Sequence, residues 1–389
     1  MDIRITPRQL SGPVTPPPSK SMAHRAVLAM MLSGGGGTIS NLNDSQDIQA
    51  TKRCVAALKT PPCSGLPFLD CGESGSTLRF VIPIALAVAG GGVFTGRGRL
   101  MERPQQPYVD IFEEKGVFYE QKDSLLTVQG RLTPGTYRLP GNVSSQFVTG
   151  LLYALSLLPG DSEIIMTSPL ESKGYVDMTL DVLEQFGVSV DNQSYKRFRV
   201  PGGQTFRSRD ITIESDWSQA GFWYAANFLD NQVDIQGLNP HSAQGDRIVA
   251  AHCGTLAKSG DIDIDVSDCP DLLPPLAVMA AVRGGTTHFG NAARLRIKER
   301  DRLATIAALV NALGGQAEEQ PESLTIRGVP ALAGGTVDGA NDHRIVMAAA
   351  IAATRCLAPV TILGAEAVKK SYPGFWDDYK RLGGETCVL

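Results

Sequence analysis

The chain has 389 residues, of which 43% are apolar, and a formal net charge of -4 at pH 7. This apolar content argues against disorder, the length suggests two or three domains, and the slightly acidic balance argues against a nucleic-acid binder that works by bulk charge. The chain has no apolar run of about 18 residues, and its seven cysteines are scattered. We therefore expect a cytoplasmic protein without a membrane span or a disulfide framework.

A loose pattern occurs six times along the chain. Each time, a polar start leads into a nearly all-apolar helical stretch, a tight turn and a short β-branched strand. The apolar stretches are residues 22–32, 76–89, 145–158, 218–229, 272–282 and 343–356. A helix that is apolar all round must be buried all round, so the pattern predicts helical cores with sheets packed outside them.

A second, amphipathic helix follows each apolar stretch. These helices are predicted at residues 46–58, 106–116, 175–186, 246–258, 299–313 and 372–382. Each unit then reads helix, strand, helix, strand, strand, and two groups of three units would give two similar domains. The alternative is an ordinary doubly wound α/β protein in which the apolar runs are parallel strands.

Each apolar helix starts at a polar cluster. The clusters are residues 19–21, 72–77, 144–146, 216–219, 271 and 341–344. Helix N-termini favour anions, although Ser, Asp and Asn are also ordinary N-caps. Capping does not explain Lys20, Arg25, Arg79 and Arg344, because a cation at a helix N-terminus is unfavourable unless an anion sits there.

More basic residues lie in short irregular segments, at positions 97, 99, 103, 298–302 and 369–370. Singly, each would be a solvated surface charge. Together they favour a site for one or two phosphate or carboxylate ligands. The chain lacks a Walker pattern, and its run of four glycines at 34–37 has no strand before it, so a nucleotide or dinucleotide enzyme is disfavoured.

Nine segments resemble, in order, those of the EPSP synthase (3-phosphoshikimate 1-carboxyvinyltransferase) family of enolpyruvyl transferases. They are SKSMAHR (19–25), GESGSTLR (72–79), RLMERP (99–104), SSQF (144–147), SKGYVD (172–177), DLLP (271–274), KERDR (298–302), NDHR (341–344) and KSYP (370–373). The resemblance covers essentially the whole chain.

This resemblance implies an α/β fold, classed as α+β in some schemes, with two similar domains. Each would hold three βαβαββ units with buried helices and outer sheets, an arrangement called the inverted α/β barrel. One domain would comprise residues 1–18 and 215–389, and the other residues 19–214. The implied reaction transfers the enolpyruvyl group of phosphoenolpyruvate to the 5-hydroxyl of shikimate 3-phosphate and releases phosphate, in the shikimate pathway to chorismate and the aromatic amino acids. The family pattern implies a monomer that needs no metal or organic cofactor and has no nucleic-acid or membrane partner.

Site residues follow from the resemblance position by position. Those implied to bind shikimate 3-phosphate are Lys20, Ser21, Arg25, Ser144, Ser145, Gln146, Ser172, Tyr175, Asp271 and Lys298. Those implied to bind phosphoenolpyruvate are Lys20, Gly75, Arg99, Gln146, Arg302, Arg344 and Lys370. The implied catalytic residues are Lys20, Asp271 as base for the 5-hydroxyl, and Glu299 near the methylene carbon. Guanidinium forks suit carboxylate and phosphate oxygens, so the set is chemically consistent.

Some positions depart from the family pattern. Glu73 and Arg294 each stand where an Asn is common, and Ser76 stands where a Thr is common. The segment 60–65 is shortened, so a surface helix or hairpin is expected to be missing there. Gly75 is retained, which suggests that the inhibitor glyphosate would fit.

Two alternatives remain. The related enolpyruvyl transferase that acts on UDP-N-acetylglucosamine pairs its first Lys with Asn and carries a reactive Cys in a loop. Here Ser21 follows Lys20, and no Cys lies between Phe80 and Thr149. The other alternative is a non-catalytic phosphate-sensing or scaffold protein, which the presence of Asp271, Glu299 and Lys370 disfavours.

Overall fold

The computed structural model describes residues 1–298 and 300–389. The chain forms two compact units: a split unit of Met1–Ser19 with Glu214–Leu389, and a continuous unit of Lys20–Ile213. The helices of the continuous unit are α1 Lys20–Leu32, α2 Gln46–Lys59, α3 Gly75–Ala89, α4 Gln106–Lys115, α5 Ser145–Ser156 and α6 Lys173–Gln185. Those described in the split unit are α7 Trp217–Phe228, α8 Val249–Leu256, α9 Leu273–Val282, α10 Arg302–Ala312, α11 His343–Ala353 and α12 Phe375–Arg381.

Short strands alternate with these helices. The split unit contains β1 Ile3–Thr6, β2 Ser11–Val14, β13 Gln232–Ile235, β14 Ile262–Asp265, β15 Thr286–Gly290, β16 Gln316–Gln320, β17 Ser323–Arg327, β18 Gly335–Asp338, β19 Val360–Leu363 and β20 Glu385–Val388. The continuous unit contains β3 Ile39–Ser40, β4 Phe68–Asp70, β5 Gly91–Thr95, β6 Phe118–Lys122, β7 Leu125–Gln129, β8 Thr136–Leu139, β9 Ser162–Met166, β10 Asp191–Gln193, β11 Arg197–Val200 and β12 Ile211–Thr212.

Each unit contains two four-stranded sheets of the same topology. Their orders are β4-β5-β7-β6 and β10-β11-β9-β8 in the continuous unit, and β14-β15-β17-β16 and β18-β19-β1-β20 in the split unit. In each sheet a parallel pair joined by one helix meets an antiparallel pair, which is a hairpin in three of the four sheets. Leu69, for example, pairs with Phe94, which pairs with Leu126. The order β4-α3-β5-α4-β6-β7 is the predicted βαβαββ unit, and β1 completes the last sheet from the other end of the chain.

The third repeat of each unit is shorter than the sequence pattern predicts. Around α1 and α2 the chain forms only the parallel pair of β3 and β12, and around α7 and α8 only that of β2 and β13. Residues 60–67, between α2 and β4, form neither helix nor strand. Pro61 and Pro62 follow the end of α2 directly, and proline cannot continue a helix or donate to a sheet ladder.

The predicted apolar helices are buried, as their composition requires. Every residue of α11 is buried, as is every residue of α3 from Thr77 to Leu86. In the continuous unit α3 packs against α5, and in the split unit α7, α9 and α11 pack against one another. No helix among the described residues combines the length and the hydropathy needed to cross a bilayer.

Close packing of α3 on α5 depends on a proline and a glycine. Pro83 lies inside α3 and has no N–H to donate to the carbonyl of Arg79, four residues earlier. The Tyr108 hydroxyl donates to that carbonyl instead, at 2.6 Å. A Cβ on Gly150 of α5 would lie 2.5 Å from the same carbonyl oxygen, so only glycine allows this approach.

A buried histidine links α1 to the next two helices. His24 of α1 is 1% exposed, and its Nδ1 lies 2.7 Å from Thr51 Oγ1 of α2. The Thr51 hydroxyl also shares a 2.7 Å hydrogen bond with the Thr77 hydroxyl of α3. Burial, together with the nearby charges of Lys20 and Arg25, lowers the pKa of His24 well below its usual value.

We expect His24 to make stability fall below about pH 6.5. Below that pH, His24 binds a proton in the unfolded chain but stays neutral in the folded chain. The free energy of unfolding therefore falls by up to about 1.4 kcal/mol per pH unit. Urea unfolding between pH 7.5 and 5.5 should show a steeper loss in the native chain than in His24→Gln. His241→Gln, at an exposed site, is the matched control. Equal slopes for the native chain and His24→Gln would contradict this prediction.

Candidate active site

The polar clusters serve the buried helices in two different ways. At four helices the side chain of a cluster residue accepts a capping hydrogen bond: Ser74 for α3, Ser144 for α5, Asp216 for α7 and Asp342 for α11. The N-terminal ends of α1 and α9 carry Lys20 and Asp271 instead, and the contacts of these two side chains are to opposite charges. Capping therefore accounts for part of the pattern only.

Lys20 lies at the start of α1 and is paired with an acid that the sequence analysis did not include. Its Nζ is 2.8 Å from Asp47 Oδ2, in the first turn of α2. Both side chains are 14% exposed, so the pair is largely shielded from solvent. Asp47 could have been suspected from its position in the first turn of an amphipathic helix, but its partner could not.

Arg25 is built into the continuous unit. It is 2% exposed, and it donates to Ser21 O and Tyr175 O at 2.7 Å each and to Thr179 Oγ1 at 2.8 Å. A fourth, longer bond of 3.4 Å reaches Thr149 Oγ1. Burial lowers its pKa to about 10, so it stays charged at neutral pH. A guanidinium has five N–H groups, which leaves one for a ligand, and such a contact stays a prediction.

The four predicted serines lie at helix N-termini of the continuous unit, with Ser21 as the second residue of α1. Ser144 caps α5 by accepting from Gln146 N at 3.3 Å, and Ser145 is buried behind it. Ser172 precedes α6 in the left-handed conformation, with φ 57° and ψ 46°. That conformation costs a residue with a Cβ about 1–2 kcal/mol, and such strain is often found at functional sites. Tyr175 follows in the first turn of α6.

Gln146 is held by two residues of α3. Arg79 Nη1 donates to Gln146 Oε1 at 2.9 Å, and Gln146 Nε2 donates to Ser76 Oγ at 2.9 Å. The start of α5 is therefore tied to the start of α3, where Gly75 lies. A Cβ at Gly75 would come within 2.9 Å of Arg103 Cζ and 3.1 Å of Arg103 Nη2.

Arg99 differs from the other predicted residues of the continuous unit. It precedes a short 3-10 turn at Leu100–Glu102, and its side chain is 43% exposed. Its Nε lies 3.2 Å from Glu102 Oε2. Nothing among its described contacts joins it to Lys20 or Gln146.

Asp271 is the centre of a charge cluster in the split unit. Arg344 Nη2 donates to Asp271 Oδ2 at 2.8 Å, and Arg302 Nη1 donates to Asp271 Oδ1 at 3.0 Å. Lys298 Nζ lies 3.5 Å from Asp271 Oδ1. Asp271 lies in the 3-10 turn Pro270–Leu272, which leads into α9. Three predicted site residues, Lys298, Arg302 and Arg344, thus contact a fourth, Asp271.

A second carboxylate, that of Asp342, holds the two arginines in place. Asp342, fully buried, accepts from Arg302 Nε at 2.8 Å with one oxygen and from Arg344 N at 2.9 Å with the other. Arg302 is 1% exposed and Arg344 is 4% exposed. Arg344 Nη1 also donates to Ser218 Oγ at 2.6 Å. Asp342 belongs to the NDHR segment, but this role could not be predicted from the sequence, because an N-cap is the ordinary explanation for an Asp at this position.

The remaining predicted residues have separate surroundings. Lys370 is buried, and its Nζ donates to Asn341 O at 2.7 Å, next to Asp342. Arg294 donates to Ser267 O at 2.6 Å. The Glu73 carboxylate lies against Gly98, since a Cβ there would be 3.0 Å from Glu73 Oε2. Glu299 lies outside the described residues.

The two sets of residues suit anionic ligands. In the split unit, two buried guanidinium groups already hold a carboxylate, which shows that their forks are spaced for one. In the continuous unit, Lys20, the amide of Gln146 and three serines at helix N-termini suit phosphate oxygens. The described residues contain no group of three or more His, Cys, Asp or Glu side chains arranged to hold a metal ion.

A protein-family model described as EPSP synthase (3-phosphoshikimate 1-carboxyvinyltransferase) matches residues 5–379. The chain belongs to the EPSP synthase family. A curated relative from Clostridium kluyveri, named 3-phosphoshikimate 1-carboxyvinyltransferase, is 44% identical over 98% of this chain and 97% of its own length. A relative of the same name from Clostridium acetobutylicum is 43% identical over 99% of this chain and 98% of its own length.

Solved structures agree with this assignment at the level of the fold. EPSP synthase from Acinetobacter baumannii is similar over 100% of both chains, with a TM-score of 0.79 and 22% sequence identity. The enolpyruvyl transferase NikO from Streptomyces tendae has a TM-score of 0.78 and 16% identity over 99% of this chain and 98% of its own. The predicted fold class, with two similar domains of βαβαββ units, is confirmed, and the doubly wound alternative is wrong.

Proposed function

We propose that this chain transfers the enolpyruvyl group of phosphoenolpyruvate to the 5-hydroxyl of shikimate 3-phosphate, giving 5-enolpyruvylshikimate 3-phosphate and phosphate. The main support is the buried pair of Arg302 and Arg344 around the carboxylate of Asp271, in a chain that matches the EPSP synthase family over residues 5–379. The pair offers two guanidinium forks for the carboxylate of phosphoenolpyruvate and a candidate base beside them. The monomeric state and the cytoplasmic location stay predictions.

The proposal assigns the phosphate of shikimate 3-phosphate to Ser144, Ser145, Ser172 and Lys20. Helix N-termini favour such an anion, and each serine stands at one. Ser21 and Arg25 would take the ring side and the carboxylate, and Tyr175 would pack on the ring. For the phosphate of phosphoenolpyruvate, the proposed ligands are Lys20, Gly75, Arg99, Gln146 and Lys370.

In the proposed chemistry three proton transfers accompany one carbon–oxygen bond formed and one broken. Asp271 takes the proton of the 5-hydroxyl as its oxygen bonds to C2 of phosphoenolpyruvate, and Glu299 supplies a proton to the methylene carbon. Glu299 then takes a proton back from that carbon as the C2–phosphate oxygen bond breaks, and the phosphate that leaves takes up the proton held by Asp271. Asp271 must have a free oxygen lone pair to act as base. A substrate carboxylate that replaces it on Arg302 or Arg344 would provide this.

The proposal predicts phosphate release that requires both substrates. The purified protein should release phosphate with phosphoenolpyruvate and shikimate 3-phosphate together, and not with either alone. The measurement is a coupled phosphate assay with product identified by mass spectrometry. Activity with UDP-N-acetylglucosamine as acceptor would instead support the related transferase. Binding of both substrates without turnover would support the non-catalytic alternative.

Asp271→Asn should keep phosphoenolpyruvate binding and reduce kcat at least about 100-fold, because the amide cannot accept the proton. Titration calorimetry measures binding and the phosphate assay measures kcat. Asp263→Asn, an exposed change of the same charge in the same unit, should behave as the native enzyme does. Near-normal kcat in Asp271→Asn would refute the role as base. The same loss is predicted for Glu299→Gln.

Gly75→Ala should weaken inhibition by glyphosate about 10-fold or more. The new methyl group would displace the Arg103 guanidinium and narrow the space beside Gly75, and a loss of about 1.4 kcal/mol is a factor of ten. Inhibition constants against phosphoenolpyruvate measure this effect. Gly254→Ala adds the same methyl group where nothing lies within 4 Å and serves as control. Unchanged inhibition in Gly75→Ala would contradict the placement.

A further inference from the structure

Arg79 is a buried cation that the proposed function leaves without a role. It lies in the second turn of α3, and it is 2% exposed. Taking a charge out of water is costly unless hydrogen bonds and opposite dipoles replace the water. The position is also unfavourable for a cation, because the positive end of the helix dipole is nearby. Its environment must therefore provide strong acceptors.

Two acceptors on different segments hold the guanidinium group. Arg79 Nη1 donates to Gln146 Oε1 at 2.9 Å, and Arg79 Nη2 donates to Pro104 O at 3.0 Å. The guanidinium carbon also lies 4.7 Å from the centre of the Phe147 ring, a cation–π contact. Both Gln146 and Phe147 belong to the first turn of α5, so Arg79 meets this turn from two sides.

This contact decides which way the amide of Gln146 points. A guanidinium can donate but cannot accept, so the atom that faces Arg79 must be the amide oxygen. The nitrogen then points away, and one of its N–H groups donates to Ser76 Oγ. Without Arg79, the amide could turn by half a rotation and present its oxygen in that direction.

We propose that Arg79 is a positioning residue that locks the Gln146 amide so that its second N–H group is directed at the phosphate of phosphoenolpyruvate. This inference rests on the proposed function, in which Gln146 is a ligand of that phosphate. An amide oxygen beside a phosphate would be repulsive, whereas an amide N–H is attractive. Arg79 thus acts through Gln146, since its own burial keeps it from the ligand.

Backbone contacts keep Arg79 itself in place. Its carbonyl, which Pro83 leaves without a helical partner, accepts from the Tyr108 hydroxyl at 2.6 Å. Its contact with Pro104 O also fixes the segment that carries Arg103, whose guanidinium lies beside Gly75. The orientation of the Gln146 amide is therefore set by Arg79, whose backbone carbonyl and guanidinium group are both held by hydrogen bonds.

Arg79→Met tests the inference through the two substrate constants. We expect KM for phosphoenolpyruvate to rise about 10- to 100-fold, as for the loss of one hydrogen bond to a charged group, and KM for shikimate 3-phosphate to stay within about twofold. Gln146→Leu should raise the former constant similarly. The double variant should show no further rise, because Arg79 acts through Gln146. Arg138→Met, at an exposed position, is the control.

Additive effects of the two changes, an equal rise in both KM values or an unchanged KM for phosphoenolpyruvate would each overturn the inference. If Arg79→Met does not fold, Arg79→Lys replaces it. Lysine keeps one donor for Gln146 and loses the contact with Pro104, so the expected rise is below about 10-fold and again confined to phosphoenolpyruvate.

A binding experiment separates failure of this inference from failure of the proposed function. If the native chain has no turnover, the proposed function fails, and the inference is tested with inorganic phosphate alone in titration calorimetry. The native chain should bind phosphate, and Arg79→Met should bind it about 10-fold or more weakly. Equal affinities, or no binding by the native chain, would overturn the role assigned to Arg79.

Discussion

The protein buries cations near the N-terminal ends of its helices, where the helix dipole opposes them. Arg25, Arg79 and Arg344 are each less than 5% exposed, and each lies in the first or second turn of a buried helix. Such a charge is tolerated only if oxygen acceptors surround it. The helices and loops that carry those oxygen acceptors must therefore pack at fixed distances from the cations. The packing that forms the core of each unit thus also positions the buried cations of that unit.

The two units meet this constraint differently. In the continuous unit, Arg25 and Arg79 donate to carbonyl, hydroxyl and amide oxygens, which solvate the positive charge but carry no net charge themselves. In the split unit two carboxylates lie against the cations: Asp271 contacts Arg302, Arg344 and Lys298, and Asp342 contacts Arg302. The buried cations of the split unit are therefore paired with formal negative charges, whereas those of the continuous unit are solvated by dipoles.

The residue pattern predicted the helices of this fold well, because a helix that is buried on all sides must consist almost entirely of apolar residues. The stretch 343–356 lacks a polar face, and every residue of α11 is buried. The hydrogen-bond partners of the buried cations could not be predicted in this way. Arg79 donates to Gln146, 67 positions along the chain, and to a backbone carbonyl, which no residue type encodes. In the continuous unit, Pro61 and Pro62 after α2 indicate that no strand pair follows that helix. In the split unit, the strand pair is also missing after α8, but no such pair of prolines marks the position.

Arg99 is held more loosely than the other charged residues that the proposed function assigns to phosphoenolpyruvate. In each unit by itself, Lys20, Gln146, Arg302 and Arg344 are fixed by shielded partners, so little side-chain entropy would remain to be lost on binding. Arg99 instead pairs with Glu102 while nearly half exposed, and such surface pairs contribute little. Exchanging Glu102 for a phosphate therefore costs Arg99 little, whereas the same exchange at Arg302 requires another carboxylate of matching geometry. Under the proposed function, this difference makes the buried arginines the selective part of the set and Arg99 the adaptable one.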